Sequence, residues 1–279
     1  MWTLLQIELF KIFKRPRTYI AFVAITVIVL LIQLAFYVDG ETYVQFMLQN
    51  IKDMFEIKGK ILNGYLICYV ILQTLLIHVP LLIALVGGDM IAGEANMGTL
   101  RLLAGKPLSR AAIIYSKFIA TTLYTLMLLL WMALLALFIS LLVFGRGDLL
   151  IFKSEQVIML ESADVMWRYV AAFGFAAIAM TTVAALSFFL SLFAENAIGP
   201  IVTTMSVVIV CTILTSMDLP LFNLIKPYLF TSHMLGWKAF FDDPIPYSSV
   251  IRSAGILIIH IIVFLGLSIA VFKRKDILS

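Results

Sequence analysis

Asp89, Glu94, Arg101, Lys106, Arg110 and Lys117 fall within one glycine-punctuated interruption of an otherwise apolar chain, "GGDMIAGEANMGTLRLLAGKPLSRAAIIYSK", from Gly87 to Lys117. Phosphate binding is the first chemistry to test, because Gly105 and Lys106 form a glycine-lysine pair after a glycine-rich run. The spacing excludes it. Gly98 precedes Gly105 by seven positions where a P-loop needs five, and Pro107 stands where Ser or Thr would bind magnesium. His78 and His260 lie in apolar runs and His233 in an aromatic one, at spacings that build no metal site. Ser268 and His260 share one helix eight residues apart, so a nucleophile and its base would not meet. Cys68 and Cys211 sit in separate apolar runs and read as packed thiols. No interior Asp or Glu of the kind used by ion-coupled carriers stands in an apolar run. The central stretch therefore reads as a mechanical element or as an ordinary loop.

In the mechanical reading, Asp89 caps a short surface helix carrying Met90, Ile91, Met97, Leu100 and Leu103 on one side. Gly105, Lys106 and Pro107 stop it, and Ser109 caps the long helix that follows. Such a helix, tied closely to an apolar segment at each end, is suited to receive a push from outside the bilayer.

The elements on either side must be membrane spans. Of 279 residues, 63% are hydrophobic and 13% charged, with a mean hydropathy of +1.08. That leaves too few polar side chains to cover a soluble globule. Uncharged stretches at about 18–38, 65–88, 118–144, 169–194, 196–217 and 253–272 are each long enough to cross a hydrocarbon core of about 30 Å. No cleavable leader is legible, because the first apolar run is too long for one. The expected fold is an all-α integral membrane protein, one transmembrane domain over residues 1–279. Ahead of the first span, residues 1–17 repeat Leu5, Leu9 and Ile12 at helical spacing, opposite a stripe of Glu8, Lys11 and Arg15. This predicts an interfacial helix with its basic face toward lipid phosphates, turned into the membrane at Pro16.

An even number of spans puts both termini on one side. Lys11, Lys14, Arg15 and Arg17 precede the first span and Lys273, Arg274 and Lys275 follow the last, with the basic residues of 89–110 between spans two and three. Basic clusters abutting spans mark the cytoplasmic side, so both termini are expected there, in a bacterial plasma (inner) membrane. The net charge of +4 then reflects attraction to anionic membrane lipid rather than to nucleic acid. A short turn at Glu195 makes spans four and five an antiparallel hairpin, and the Ala, Gly, Ser and Thr of span four predict its burial among other helices. The segment 218–252 is broken by four prolines and rich in aromatics. Phe222, Tyr228, Phe230, Trp237, Phe240 and Phe241 predict short helices on the outer face, serving as an outer lid or as a simple interfacial anchor.

The central stretch resembles the permease subunits of type-2 ATP-binding-cassette (ABC) exporters. Their pattern has E-x-x-x-G-T-L after the second span, then P-x-S-R, then a Lys opening the third. Here these are Glu94, Gly98, Thr99 and Leu100, then Pro107, Ser109 and Arg110, then Lys117. The opening helix, the six-span layout and the terminal "FKRKDI" extend the likeness over nearly the whole chain. The resemblance implies a translocation subunit paired with a second permease, identical or closely related, and with two cytosolic ABC ATPase subunits that bind ATP and magnesium. This chain would bind no cofactor and hold no catalytic centre. The helix around 89–104, including Met97 and Arg101, would be the coupling helix seated on the ATPase. Glu94 would either pair with a basic residue such as Arg110 or orient the helix. A different class, a stand-alone six-span channel or secondary carrier, predicts solute movement without ATP, and the lack of converging polar residues disfavours a membrane-embedded enzyme.

Overall fold

A computed structural model describes residues 1–48, 61–75, 78–100, 108–153, 157–217 and 219–275. Six of its helices are long and apolar enough to cross a membrane, and the chain is a multi-pass helical membrane protein. Helix α1 spans Trp2–Lys14 and ends where Arg15 turns extended, at φ −87° and ψ 131°. Pro16 then opens α2, Pro16–Leu48, at the position where a missing N–H costs nothing. The Thr18 hydroxyl donates to Ile12 O across the corner. Helix α2 outlasts the expected 18–38, but its backbone breaks at Asp39 (φ −127°, ψ 15°), next to the predicted end.

The second expected span, 65–88, is two helices, α3 (Gly64–Leu75) and α4 (His78–Asn96). The sequence places the end of this span near residue 88 and a new cap at Asp89. Instead the helix continues through Gly87, Gly88 and Asp89. These glycines bring α4 against its neighbours: a Cβ at Gly87 would lie 3.2 Å from Ala184 O, and one at Gly88 3.1 Å from Ile201. In lipid, close backbone approach of this kind replaces the hydrophobic effect as the source of helix association. Ser187 Oγ seals the contact by donating to Ala84 O at 3.0 Å. Gly98 ends the run. Its φ of +70° is the left-handed conformation favoured at helix ends, and its N–H donates to Ala95 O at 3.0 Å.

Helix α5 covers 35 residues, Arg110–Phe144. Ser109 caps it as expected, its side chain accepting from Ala112 N at 3.2 Å. Over Leu134–Ile139 the helix widens to a π turn. Gln33 of α2 fits against the irregularity, donating to Leu135 O at 3.0 Å and Ser140 Oγ at 2.9 Å. After this helix two short strands pair antiparallel, β1 (Leu149–Phe152) with β2 (Val157–Leu160), Leu149 opposite Leu160. This hairpin is a small addition to a helical class. Asn63 links hairpin and bundle, its Oδ1 capping Tyr65 N at 3.0 Å and its Nδ2 donating to Asp148 O at 2.7 Å.

Helices α6 (Ser162–Phe193) and α7 (Ile198–Ser216) form the expected tight hairpin. Of their most apolar windows, 72% of α6 is buried against 17% of α7, so α6 is the central post, as its small residues imply. The chain then makes short helices α8 (Pro220–Asn223) and α9 (Phe230–Met234) before the last span, α10, Tyr247–Arg274.

The bundle's tolerance at close approaches is measurable. A Cβ at Gly64 would stand 2.6 Å from Ser140 O, against backbone that cannot rotate away, whereas one at Gly174 would meet nothing within 4 Å. Gly64→Ala should cost about 1–3 kcal/mol of stability and Gly174→Ala nothing comparable, read as unfolding midpoints of the detergent-purified protein. Equal midpoints would refute the tight α3–α5 seam.

Candidate functional site

The charged end of the bundle gathers ionisable side chains from three helices that are far apart in sequence. Lys117 lies in the second turn of α5 and is fully buried. An ammonium without water needs anionic partners, and it has two: Glu8 Oε2 of α1 and Glu94 Oε1 of α4, each at 2.8 Å. Met90 O accepts a longer bond at 3.4 Å. Lys11 of α1 closes the ring from the other side, 2.9 Å from Glu8 Oε1 and 2.8 Å from Glu94 Oε1. Two ammoniums and two carboxylates balance. Burial alone would lower the Lys11 ammonium below its usual range, but Glu94 and Glu8 together hold it above. One oxygen, Glu94 Oε2, is buried without a hydrogen-bond partner among the described residues.

A second group lies one turn along α4. Asp89 accepts from Arg15 through Oδ2 and from Arg17 through Oδ1, the latter at 3.0 Å. Gly93 makes room for it, since a Cβ there would strike the Asp89 carboxylate. The glycines of the central stretch thus serve three distinct purposes: close packing at 87 and 88, space for an ion pair at 93, and a helix end at 98.

These contacts revise the sequence reading. Glu8 and Lys11 of the expected stripe face the protein and not lipid phosphates, because Glu94 and Lys117 offer them opposite charge, while Arg15 at the α1–α2 corner pairs with Asp89 and stays a quarter exposed. The side of α1 left outside bears Trp2, Ile7 and Phe10 instead. Asp89 is an ion-pair partner within α4 rather than a helix cap, so residues 89–96 belong to the span. Glu94 does not pair with Arg110. That guanidinium turns to the end of α10, donating to the carbonyls of Phe272 (3.2 Å), Lys273 (2.9 Å) and Lys275 (2.8 Å), as a basic group does at a helix carboxyl terminus. Lys275 returns the tie through Nζ to Leu192 O at 2.6 Å.

Of the remaining central residues, Met97 is 56% exposed at the turn, Thr99 donates through its hydroxyl to Glu94 O at 3.3 Å, and Leu100 is buried. Helical backbone restarts at Thr99 and Leu100. Arg101 and Pro107, with the rest of the expected coupling helix, lie outside the described residues, as do the last positions of "FKRKDI". At the opposite end the aromatic segment splits. Phe230, Trp237 and Phe241 are buried, Phe222 and Phe240 half-buried, and Tyr228 exposed. Phe241 packs edge-on to Tyr169 at 4.8 Å and Tyr69 at 5.3 Å, so the segment packs its large rings into the end of the bundle. No group of three potential metal ligands occurs among the described residues.

Sequence reasoning missed the ring because it sought a partner for Glu94 within the central stretch, at Arg110, and none for Lys117 or Glu8. The available signal was Lys117, set within long apolar runs, together with Glu8 on a basic helix. Neither is stable in place without a distant partner.

Removing one member leaves an uncompensated buried charge. Lys117→Met should cost about 3–5 kcal/mol, and adding Glu94→Gln, which restores neutrality with Lys11 and Glu8, should recover more than half of it. Chemical unfolding in detergent distinguishes this from additive losses, which would mean that the side chains do not act as a unit.

The DUF2705 family, described as a protein of unknown function, matches this chain over residues 21–278. The uncharacterized protein YhcI of Bacillus subtilis (strain 168) is 27% identical over 199 residues, which are 69% of this chain and 63% of that protein. The chain therefore spans less than two thirds of the length of that curated relative.

Proposed function

This chain belongs to the DUF2705 family, and we propose that it is the membrane-spanning permease subunit of an ATP-driven ABC exporter. It works beside a second permease subunit and receives force from two cytosolic ATPases that bind ATP and magnesium. Both termini face the cytoplasm, and the membrane is the bacterial plasma membrane.

What supports the reading is the joint at the end of α4. The exposed turn at Met97 and Gly98 lies one turn from Glu94, and Glu94 is held at 2.8 Å by both Lys11 of α1 and Lys117 of α5. A load applied at Thr99 and Leu100 meets three helices pinned at one point, so it tilts α1, α4 and α5 together instead of bending a loop. Arg110 extends the linkage to α10. At the far end the plug of Trp237 and Phe241 rests against Tyr69 and Tyr169, and it serves as the outer lid that such a tilt opens.

A second reading is a stand-alone channel or secondary carrier, which would draw on a solute or ion gradient instead of ATP. Glu94 Oε2, buried without a partner among the described residues, is the feature of the ring in its favour. The two ammoniums 2.8 Å from Oε1 count against that carboxylate taking a proton. The two separate cleanly. In the exporter, a photo-cross-linking residue at Met97 captures a P-loop ATPase from native membranes, and Glu94→Gln cuts ATP-dependent transport at least tenfold. In the channel or carrier, the purified chain alone moves solute in liposomes on a solute or ion gradient, without ATP. Transport by the lone chain, or an assembled complex from which Met97 never captures an ATPase, would overturn the exporter.

A further inference from the structure

Beside the ion ring, a cavity of about 300 Å³ opens between the α1–α2 corner, the end of α4 and the α6–α7 turn. Its polar walls are Arg15, Arg17, Asp89, Asn96 and Asn196, and Ile198 brings in the amino-terminal turn of the 19-residue helix α7. The charge in it is unbalanced. Two guanidiniums share one carboxylate, and each presents five N–H donors of which Asp89 engages a small part. Arg17 is about half exposed at the mouth. The positive end of the α7 dipole adds to the same sign.

Pro16 lines this chamber and also heads an open apolar face of α2, along which Tyr19, Ile20, Val23 and Val27 are exposed. From Pro16 to Ile28 the helix rises about 18 Å, slightly more than half of a hydrocarbon core of about 30 Å. A cationic chamber at the membrane boundary, continuous with an exposed apolar helix face one leaflet long, matches the headgroup and acyl chain of a lipid.

We propose that Arg15 and Arg17 hold the phosphodiester of an anionic phospholipid, with an acyl chain lying along α2 from Pro16 to Ile28. Charge selects the headgroup. A single negative charge neutralises the arginine surplus, whereas a zwitterionic lipid brings an ammonium or choline toward two guanidiniums. This site differs from the lipid-facing basic stripe expected from sequence, since Glu8 and Lys11 are consumed inside the protein. It does not depend on the exporter reading.

Native mass spectrometry of the full chain in detergent, titrated with phosphatidylglycerol, phosphatidylcholine or glycerol phosphate, tests it. The wild-type protein should retain phosphatidylglycerol about tenfold better than phosphatidylcholine, the scale of one charge-assisted hydrogen bond. Arg17→Gln should remove that preference while Arg17→Lys keeps part of it; because Arg17 is half exposed, the fold survives either change. Val23→Trp, which changes the shape of the apolar α2 face, should weaken phosphatidylglycerol without touching the arginines. Equal retention of the two lipids overturns the proposal. So does displacement of phosphatidylglycerol by equimolar glycerol phosphate, which would make the chamber a site for free phosphate esters. A Val23→Trp protein that changes oligomeric state and keeps its lipid also overturns it, by making that face of α2 a seam between copies.

Discussion

Burying one ammonium organises this molecule. Lys117 has no access to water, and an isolated charge in such a place costs several kcal/mol even after relaxation. The chain meets that cost with carboxylates from two other helices, Glu8 before the first span and Glu94 at the end of α4. Neither is a neighbour of Lys117 in sequence, so the pairing fixes where α1 folds back and how far α4 extends. Lys11 is then required to balance the second carboxylate. The ring specifies geometry more than it adds stability, since a well-packed apolar set of equal volume would hold the helices at least as firmly. A charged joint differs in being directional: its members lock only in one register.

Above the ring the architecture depends on surface shape. Helix α6 presents Ala184 and Ser187 to Gly87 and Gly88 of α4, and the backbones approach until a side-chain carbon would be pressed closer than ordinary contact. The far end uses the opposite strategy, with large rings from the 218–252 segment packed edge-on into Tyr69 and Tyr169. The protein is thus ionic and polar at one membrane face, small-residue packed in the middle, and aromatic at the other face. The π turn in α5, braced by Gln33, lies toward the aromatic end, where the regular helix ladder is interrupted.

Much of the fold was legible in composition. The multi-pass helical class, the Pro16 corner, the Ser109 cap and the burial of the fourth span follow from local pattern, because apolar length and capping chemistry act over a few residues, whereas the second span was expected at 65–88 and lies at His78–Asn96. What local pattern could not give was partnership. The stripe of Glu8, Lys11 and Arg15 has the same helical spacing whether it meets lipid phosphates or a complementary carboxylate, and only the tertiary fold decides. Gly87 and Gly88 carry a role that is also decided by tertiary context. Glycine weakens a helix in water, but between helices in lipid its missing side chain is what permits contact. Asp89 was read as a cap when its role is to receive Arg15 and Arg17. Of the central motif, the structure places Glu94 and Lys117 in one ring and sends Arg110 elsewhere, a division that the motif's spacing alone does not encode.

The head of α5 is where the two ends of the described chain meet. Lys117 takes the first helix and, two turns earlier, Arg110 takes the carbonyls of the last. A ribosome making this protein releases those parts at different times. The ring can close as soon as α5 has left the translocon, whereas the guanidinium of Arg110 must wait, hydrated at the membrane surface, until α10 has been threaded. Biogenesis therefore has a built-in final stitch, and a nascent chain stalled before residue 272 would carry a sealed amino-terminal half on an unfastened bundle.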